Sequence, residues 1–219
     1  IMNFFLFDNF HCTTECDIAG ISTLDILTSI LLIFCNFYFV SIFCKKHSLN
    51  FKYISLLYVY HIFFSILYLE YVIRYGGDVL SFYEKSIDYK IYLTYLYPIT
   101  EHLFGANPLL IFIGLLREYL MFEIVTINIF FNFIGFFGIL YLFLIIKKIT
   151  INNSKIVQSF NLVFFFLPSI HWWSSSIGKD SISFFCLMFI AWNIINHVYF
   201  NKKILLVLIL IFVIRPHIL

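Results

Sequence analysis

Charge is what this chain has least of. Asp, Glu, Lys and Arg make up only 12% of its 219 residues, about half the share found in a soluble domain. So little charge excludes a water-soluble globular domain, because thirty Phe and fifteen Tyr could not all be hidden from solvent. With four Pro and eight Gly, no Pro-rich or Gly-rich linker marks a second domain. No basic tract is present, which argues against nucleic acid as a partner, and the net charge of +2 points to no partner. Metal-ligand spacing, a nucleotide-binding glycine loop, a serine nucleophile elbow and a haem-attachment motif are also missing. Their absence tells against triad hydrolysis and against cytosolic nucleotide-sugar chemistry. No basic region precedes the first apolar run, so residues 1–23 do not read as a signal peptide.

What the chain has instead is apolar sequence, 62% hydrophobic and 22% aromatic, with a mean hydropathy of +0.96. The abundance of Phe, Ile, Asn, Tyr and Lys has the look of biased coding DNA, so single aromatics carry little weight. Apolar runs predict membrane helices over 24–44, 53–73, 122–146, 156–173, 181–200 and 204–219. Each is about long enough for a hydrocarbon core of roughly 30 Å. The expected fold is therefore an all-α polytopic bundle, one transmembrane domain over 1–219. A chain that starts on Ile1 and stops at Leu219 inside an apolar run also reads as C-terminally incomplete.

The loops predict the orientation. Lys45, Lys46 and Lys52, then Lys147, Lys148 and Lys155, then Lys202 and Lys203 fill three short connections that hold no acidic residue. By the positive-inside rule these connections are cytoplasmic. The N-terminus, the segment 74–121 and the turn 174–180 then face outward, and every Asp and Glu lies on or near that side. Acidic residues contribute little to topology, so their gathering suggests chemistry on the outer face. In the N-terminal stretch Cys12 and Cys16 could pair locally, while Cys35, Cys44 and Cys186 fall in apolar runs and read as packing residues. The segment 74–121 reads as a loop lying in the headgroup layer, with Tyr89, Tyr92 and Tyr95 at helical spacing. Asn128 and Asn132, four apart, should share a helix face and join helices.

Three places could carry chemistry. Asp78 follows Gly76-Gly77 directly after a membrane helix, so the chain can turn there and hold a carboxylate just outside hydrocarbon. Such a carboxylate, in a place of low dielectric, could keep a raised pKa and act as a general base toward a sugar hydroxyl; the plainer reading is a helix cap followed by a solvated Asp. The second place is Pro168-Ser-Ile-His-Trp-Trp-Ser-Ser-Ser-Ile-Gly-Lys-Asp-Ser181, where His171, Ser174–Ser176 and Lys179-Asp180 crowd between two apolar runs. Ionisable groups beside hydrocarbon are expensive, and their default reading is functional. The third is Arg215-Pro216-His217. Guanidinium, ammonium and serine hydroxyl donors suit a lipid phosphate, although Arg215 could equally be balanced by Asp180 or Glu123 as a structural ion pair.

Gly76-Gly-Asp78 with Tyr83, the amphipathic segment after it, Asn107-Pro108 and the 166–181 string together resemble membrane glycosyltransferases of the GT-C superfamily. The 166–181 string with Arg215-Pro-His is also similar to bacterial membrane proteins of surface-polysaccharide synthesis. The resemblance spans about residues 53–217, with one span placed ahead of the loop-bearing helix and Ser176 where Gly is expected. It implies Asp78 as catalytic base and Lys179 and Arg215 as ligands of a carrier phosphate, with Asp180, His217, His171, Ser175, Tyr83 and Glu84 as further substrate-binding candidates. The implied activity is transfer from a polyprenyl-phosphate-linked sugar on the outer face of a bacterial cytoplasmic membrane. No cofactor is required by the pattern, and a divalent metal is compatible with it. Arg74-x-Gly-Gly-Asp78 with Tyr83 also looks like O-antigen and exopolysaccharide polymerases, which would use a whole lipid-linked repeat unit. A transporter or flippase for the same lipid is the reading from another class. It would predict ionisable residues and broken helices near the bilayer midplane.

Overall fold

The computed structural model describes residues 21–94, 105–150, 163–198 and 201–215. Its elements are α1 (Thr23–His47), α2 (Phe51–Tyr75), α3 (Asp78–Lys85), a 3-10 turn (Ser86–Asp88), α4 (Tyr89–Thr94), α5 (Asn107–Leu120), α6 (Ile124–Ile149), α7 (Pro168–Ser174), α8 (Lys179–Ile195) and α9 (Lys202–Ile214), with no strand among the described residues. Three helices, α1, α2 and α6, are long and apolar enough to cross a membrane; α7 and α8 together make a fourth if their bend of 113° is one broken span. The protein is thus an all-helical membrane protein.

The count differs from the six expected spans for local reasons. The span expected over 156–173 lies partly outside the described residues, and its described part turns at Val163–Leu167 before α7 starts at Pro168. Proline has no N–H to give a preceding turn and suits the first position of a helix. The span expected over 181–200 stops at Ile195, where the Asn196 side chain bonds back to the Trp192 carbonyl and His197 takes a left-handed φ of 58°. The last, expected over 204–219, is helical for 13 residues and ends before Arg215. Pro216 disfavours helical geometry in the residue before it.

Local signals set the longer helices. Ser22 caps α1 by accepting from Asp25 N, and Asn50 caps α2 by accepting from Lys52 N. Ser48 at φ 50° makes the left-handed stop that lets α2 turn back along α1. The two helices are then tied by Asn36 Nδ2, which donates to Tyr58 OH at 2.8 Å within the core.

α6 is the central helix. In its most apolar window 61% of residues are buried, against 22% for α1, because α1, α2 and α8 all pack on it. α6 and α8 run parallel: Ile177 N donates to Asn128 Oδ1 ahead of α8, Gly138 faces Phe184 and Phe185, and Lys148 Nζ donates to Ile195 O at the far end. A parallel pair needs a return path. The described part of that path climbs α2, with Phe166 against Tyr53 and Tyr60, His171 against His61, and Trp172 against Tyr68 and Tyr71.

This arrangement gathers Lys45, Lys46, Lys52, Lys147, Lys148, Lys202 and Lys203 at one end of the bundle. The described acidic residues, Asp25, Glu70, Asp78, Glu84, Asp88, Glu118, Glu123 and Asp180, lie at the other. There α3, the 3-10 turn, α4 and α5 form a cap of short helices packed on one another. Tyr89 is buried within it, while the Tyr92 side chain and Tyr95 lie outside the described residues.

Candidate functional site

The acidic end holds a cleft of about 360 Å³ at the junction of α2, α3, α8 and the end of α9. Four short-range features build it. Gly76 closes α2, its N–H donating to Val72 O and its φ at 78°, a backbone state open to glycine at little cost. With Gly77 extended beside it, α3 starts at Asp78. The break at 175–178 turns the chain from α7 into α8, whose first residues Lys179 and Asp180 face the same cleft. Arg215, the residue after α9, closes it.

Asp78, Lys179, Asp180 and Arg215 therefore converge, although 137 positions separate the first from the last. Arg215 Nη2 is ion-paired to Asp180 Oδ1, so the structural pairing weighed from sequence is formed. Arg215 Nε is buried without a partner among the described residues. Lys179 and Asp78 make no ion pair among the described residues. Asp78 is exposed, which differs from the low-dielectric placement expected for it. A carboxylate at the first position of an eight-residue helix sits on the rim, where no packed side chain covers it.

Other expected site residues fall elsewhere. Ser175 is fully buried with its hydroxyl unpartnered among the described residues, and it is Ser176 that lines the cleft. His171 is fully buried, 2.9 Å from His61, and points away from the cleft into the bundle. Tyr83 lies in a second cavity of about 500 Å³, with Arg117 stacked 4.1 Å from its ring centre and donating to its carbonyl. Burial pushes the Tyr83 phenol up, and Arg117 opposes this. Glu84 lines neither cavity, for α3 turns Asp78, Val79 and Phe82 toward the cleft and Tyr83 away from it. His217 lies outside the described residues, as do Glu101 and His102.

Tyr68 is the lining residue that sequence reasoning missed. Its phenol, near the acidic end of α2, faces both Asp78 and Asp180. Its signal was an amphipathic aromatic about two turns before a Gly-Gly stop, which a chain with fifteen Tyr conceals. Trp173, 62% exposed, stands at the mouth. Gly105 approaches Lys179 and donates its N–H to Val213 O, bringing the start of α5 beside the cleft.

Chemically, the cleft offers two cations, two carboxylates, hydroxyls and an exposed indole. Such a set can hold an anionic headgroup, with a proton acceptor beside it. Among the described residues no three His, Cys, Asp or Glu side chains gather to hold a metal ion. No protein-family model, no curated protein and no solved structure matches the chain.

Proposed function

We propose that the protein is a membrane glycosyltransferase that takes a sugar from a polyprenyl-phosphate carrier at the acidic end of its bundle, the outer face of a bacterial cytoplasmic membrane. The observation that carries this reading is the convergence of Asp78, Lys179 and Arg215 on one cleft. In the reaction, the acceptor hydroxyl oxygen bonds to the anomeric carbon as the bond from that carbon to the phosphate oxygen breaks. The hydroxyl proton passes to Asp78, and the electron pair leaves with the phosphate. Lys179 and Arg215 meet the charge that grows there, and Asp180 positions Arg215. Trp173 and Tyr68 supply ring faces for sugar or lipid.

The test is sugar transfer in membranes at saturating and limiting donor. Asp78→Asn keeps the shape but removes the proton acceptor, so turnover should fall by roughly 10²-fold or more with carrier binding kept. Lys179→Ala should weaken carrier binding by about 1.5–3 kcal/mol. Near-normal turnover in Asp78→Asn reduces Asp78 to a helix-start residue. The same cleft serves a polymerase if the donor is a whole lipid-linked oligosaccharide, which supplying that donor instead would reveal. A transport reading is favoured by a different observation, the break at 175–178 together with buried histidines in mid-bundle. Lipid-linked sugar crossing a vesicle bilayer without any transfer product would favour it.

A further inference from the structure

The two histidines that the cleft does not use face each other inside the bundle. His61 and His171 are both fully buried, and their Nδ1 atoms are 2.9 Å apart. The second nitrogen of each ring points at a backbone carbonyl: His61 Nε2 is 3.1 Å from Asn132 O, and His171 Nε2 is 2.6 Å from Phe165 O. A carbonyl oxygen only accepts, so each Nε2 must carry a hydrogen to make its bond. The contact between the two Nδ1 atoms needs one hydrogen more. Two neutral imidazoles carry two hydrogens, and these three contacts require three. We propose that His61 and His171 form a buried binding site for a single proton, shared between their Nδ1 atoms.

The surroundings fit such a site. Phe64 is stacked 6.0 Å from His171, the Tyr60 ring meets it edge-on at 4.9 Å, and Phe136 lies 5.6 Å from His61. Ring faces favour a delocalised cation. Tyr60, on α2, is a further titratable group whose ring meets His171. From α6 come Asn132 and Phe136, and from the corner before α7 the Phe165 carbonyl. Among the described residues no hydrogen bond or ion pair joins either ring to a carboxylate, lysine or arginine. Without a counter-ion in a dry interior, the proton is the labile part of the arrangement.

Its loss sets two lone pairs against each other in one of the three contacts, and that contact must open. His61 is held to α6 twice, since Asn132 Nδ2 also donates to His61 O. His171 is held to the non-helical corner at Phe165, so the yielding contact is there. Proton binding and release would thus tighten and loosen α7 against the corner that precedes it, one turn of helix from the break that shapes the cleft. This inference stands apart from sugar transfer and requires nothing of the cleft.

The test is nitrogen-15 NMR of the full chain in lipid, with histidine labelled, across pH. The two rings should take up one proton between them as pH falls past the ordinary imidazole range, about 6.5. A coupling through the hydrogen bond should join the two Nδ1 nuclei in the protonated form alone. His61→Gln identifies the signals among the seven histidines and should leave His171 neutral over the same range. If both rings stay neutral throughout, or each takes its own proton without coupling, the proposal fails. The wild-type titration decides this even where His61→Gln does not fold.

Discussion

Of the described glycines, Gly135 has the least room for a side chain. A Cβ there would stand 1.8 Å from the Ser174 carbonyl oxygen, a backbone atom fixed at the end of α7. Gly135→Ala must therefore push the break away from α6, and it should lower stability by about 1–3 kcal/mol, as overpacked cores do. At Gly178 the nearest atom to a new Cβ is Asp180 N at 4.0 Å, and the backbone is extended. Gly178→Ala should leave stability unchanged or slightly raised. Thermal unfolding of both variants in one detergent checks the contrast, and equal losses would mean that the approach at Gly135 relaxes. At this scale some of the structure was legible. Asn128 and Asn132 do join helices, through Ser65, Ile177 and His61, because spacing by four puts two amides on one face. Cys44 and Cys186 do pack in the core, whereas Cys35 is exposed. Periodicity on a helix that is apolar all round cannot say which face meets lipid.

Two elements are anchored by single carboxylates. Asp25 on α1 accepts from Val125 N and Thr126 N, at 2.9 Å each, and from Thr126 Oγ1, so it caps α6 from another helix. Asp25→Ala should cost about 0.5–2 kcal/mol and loosen α1, the least buried span, seen as earlier proteolysis of α1. In the cap layer, Glu118 on α5 receives Tyr89 OH and Lys90 Nζ from α4. The Lys90 and Tyr89 hydrogen bonds hold the Glu118 carboxyl below its usual range. A lowered carboxylate stabilises above its ordinary pKa, and that help is lost as pH falls through the lowered value. Lys90 is shifted up, chiefly by its bond to Glu118, and the Glu118 bond also pushes the Tyr89 phenol up to about 12. Their contribution holds below their ordinary values and is lost as pH rises through the raised ones. Protection of the α4 amides, taken relative to their intrinsic exchange at each pH, should be greatest between these limits, and protection that stays flat into acid would show that Glu118 does not anchor it. None of this was readable beforehand, since each bond joins residues about 30 or 100 positions apart and no local pattern encodes the partner.

At the scale of the whole molecule, what could be read was the sorting of charge. Lysine-rich turns at alternate connections implied that helix ends gather into two sets, and α1, α2, α6, α8 and α9 do gather them so, even though fewer helices pass as spans than expected. The meeting of Asp78 with the 174–180 turn agrees with that sorting, because the ends of neighbouring helices lie within about 10 Å. The break at 175–178 falls within the turn expected over 174–180, but what holds it could not be read, since Asn128 takes the Ile177 N–H and Gly135 admits Ser174. The geometry fixes only that the two ends are opposite, so their sides of the membrane are a prediction. Lys45, Lys147 and Lys202 should be cytoplasmic, and Asp78 and Lys179 outward. On a background without the native cysteines, single cysteines at 78 and 179 should react with an impermeant reagent in intact cells, and those at 45, 147 and 202 only after lysis. Labelling at 147 but not at 78 would invert the bundle. The cleft would then face nucleotide-sugar pools in the cytosol, and an outward-facing transferase would have to be abandoned while the two-ended architecture stood.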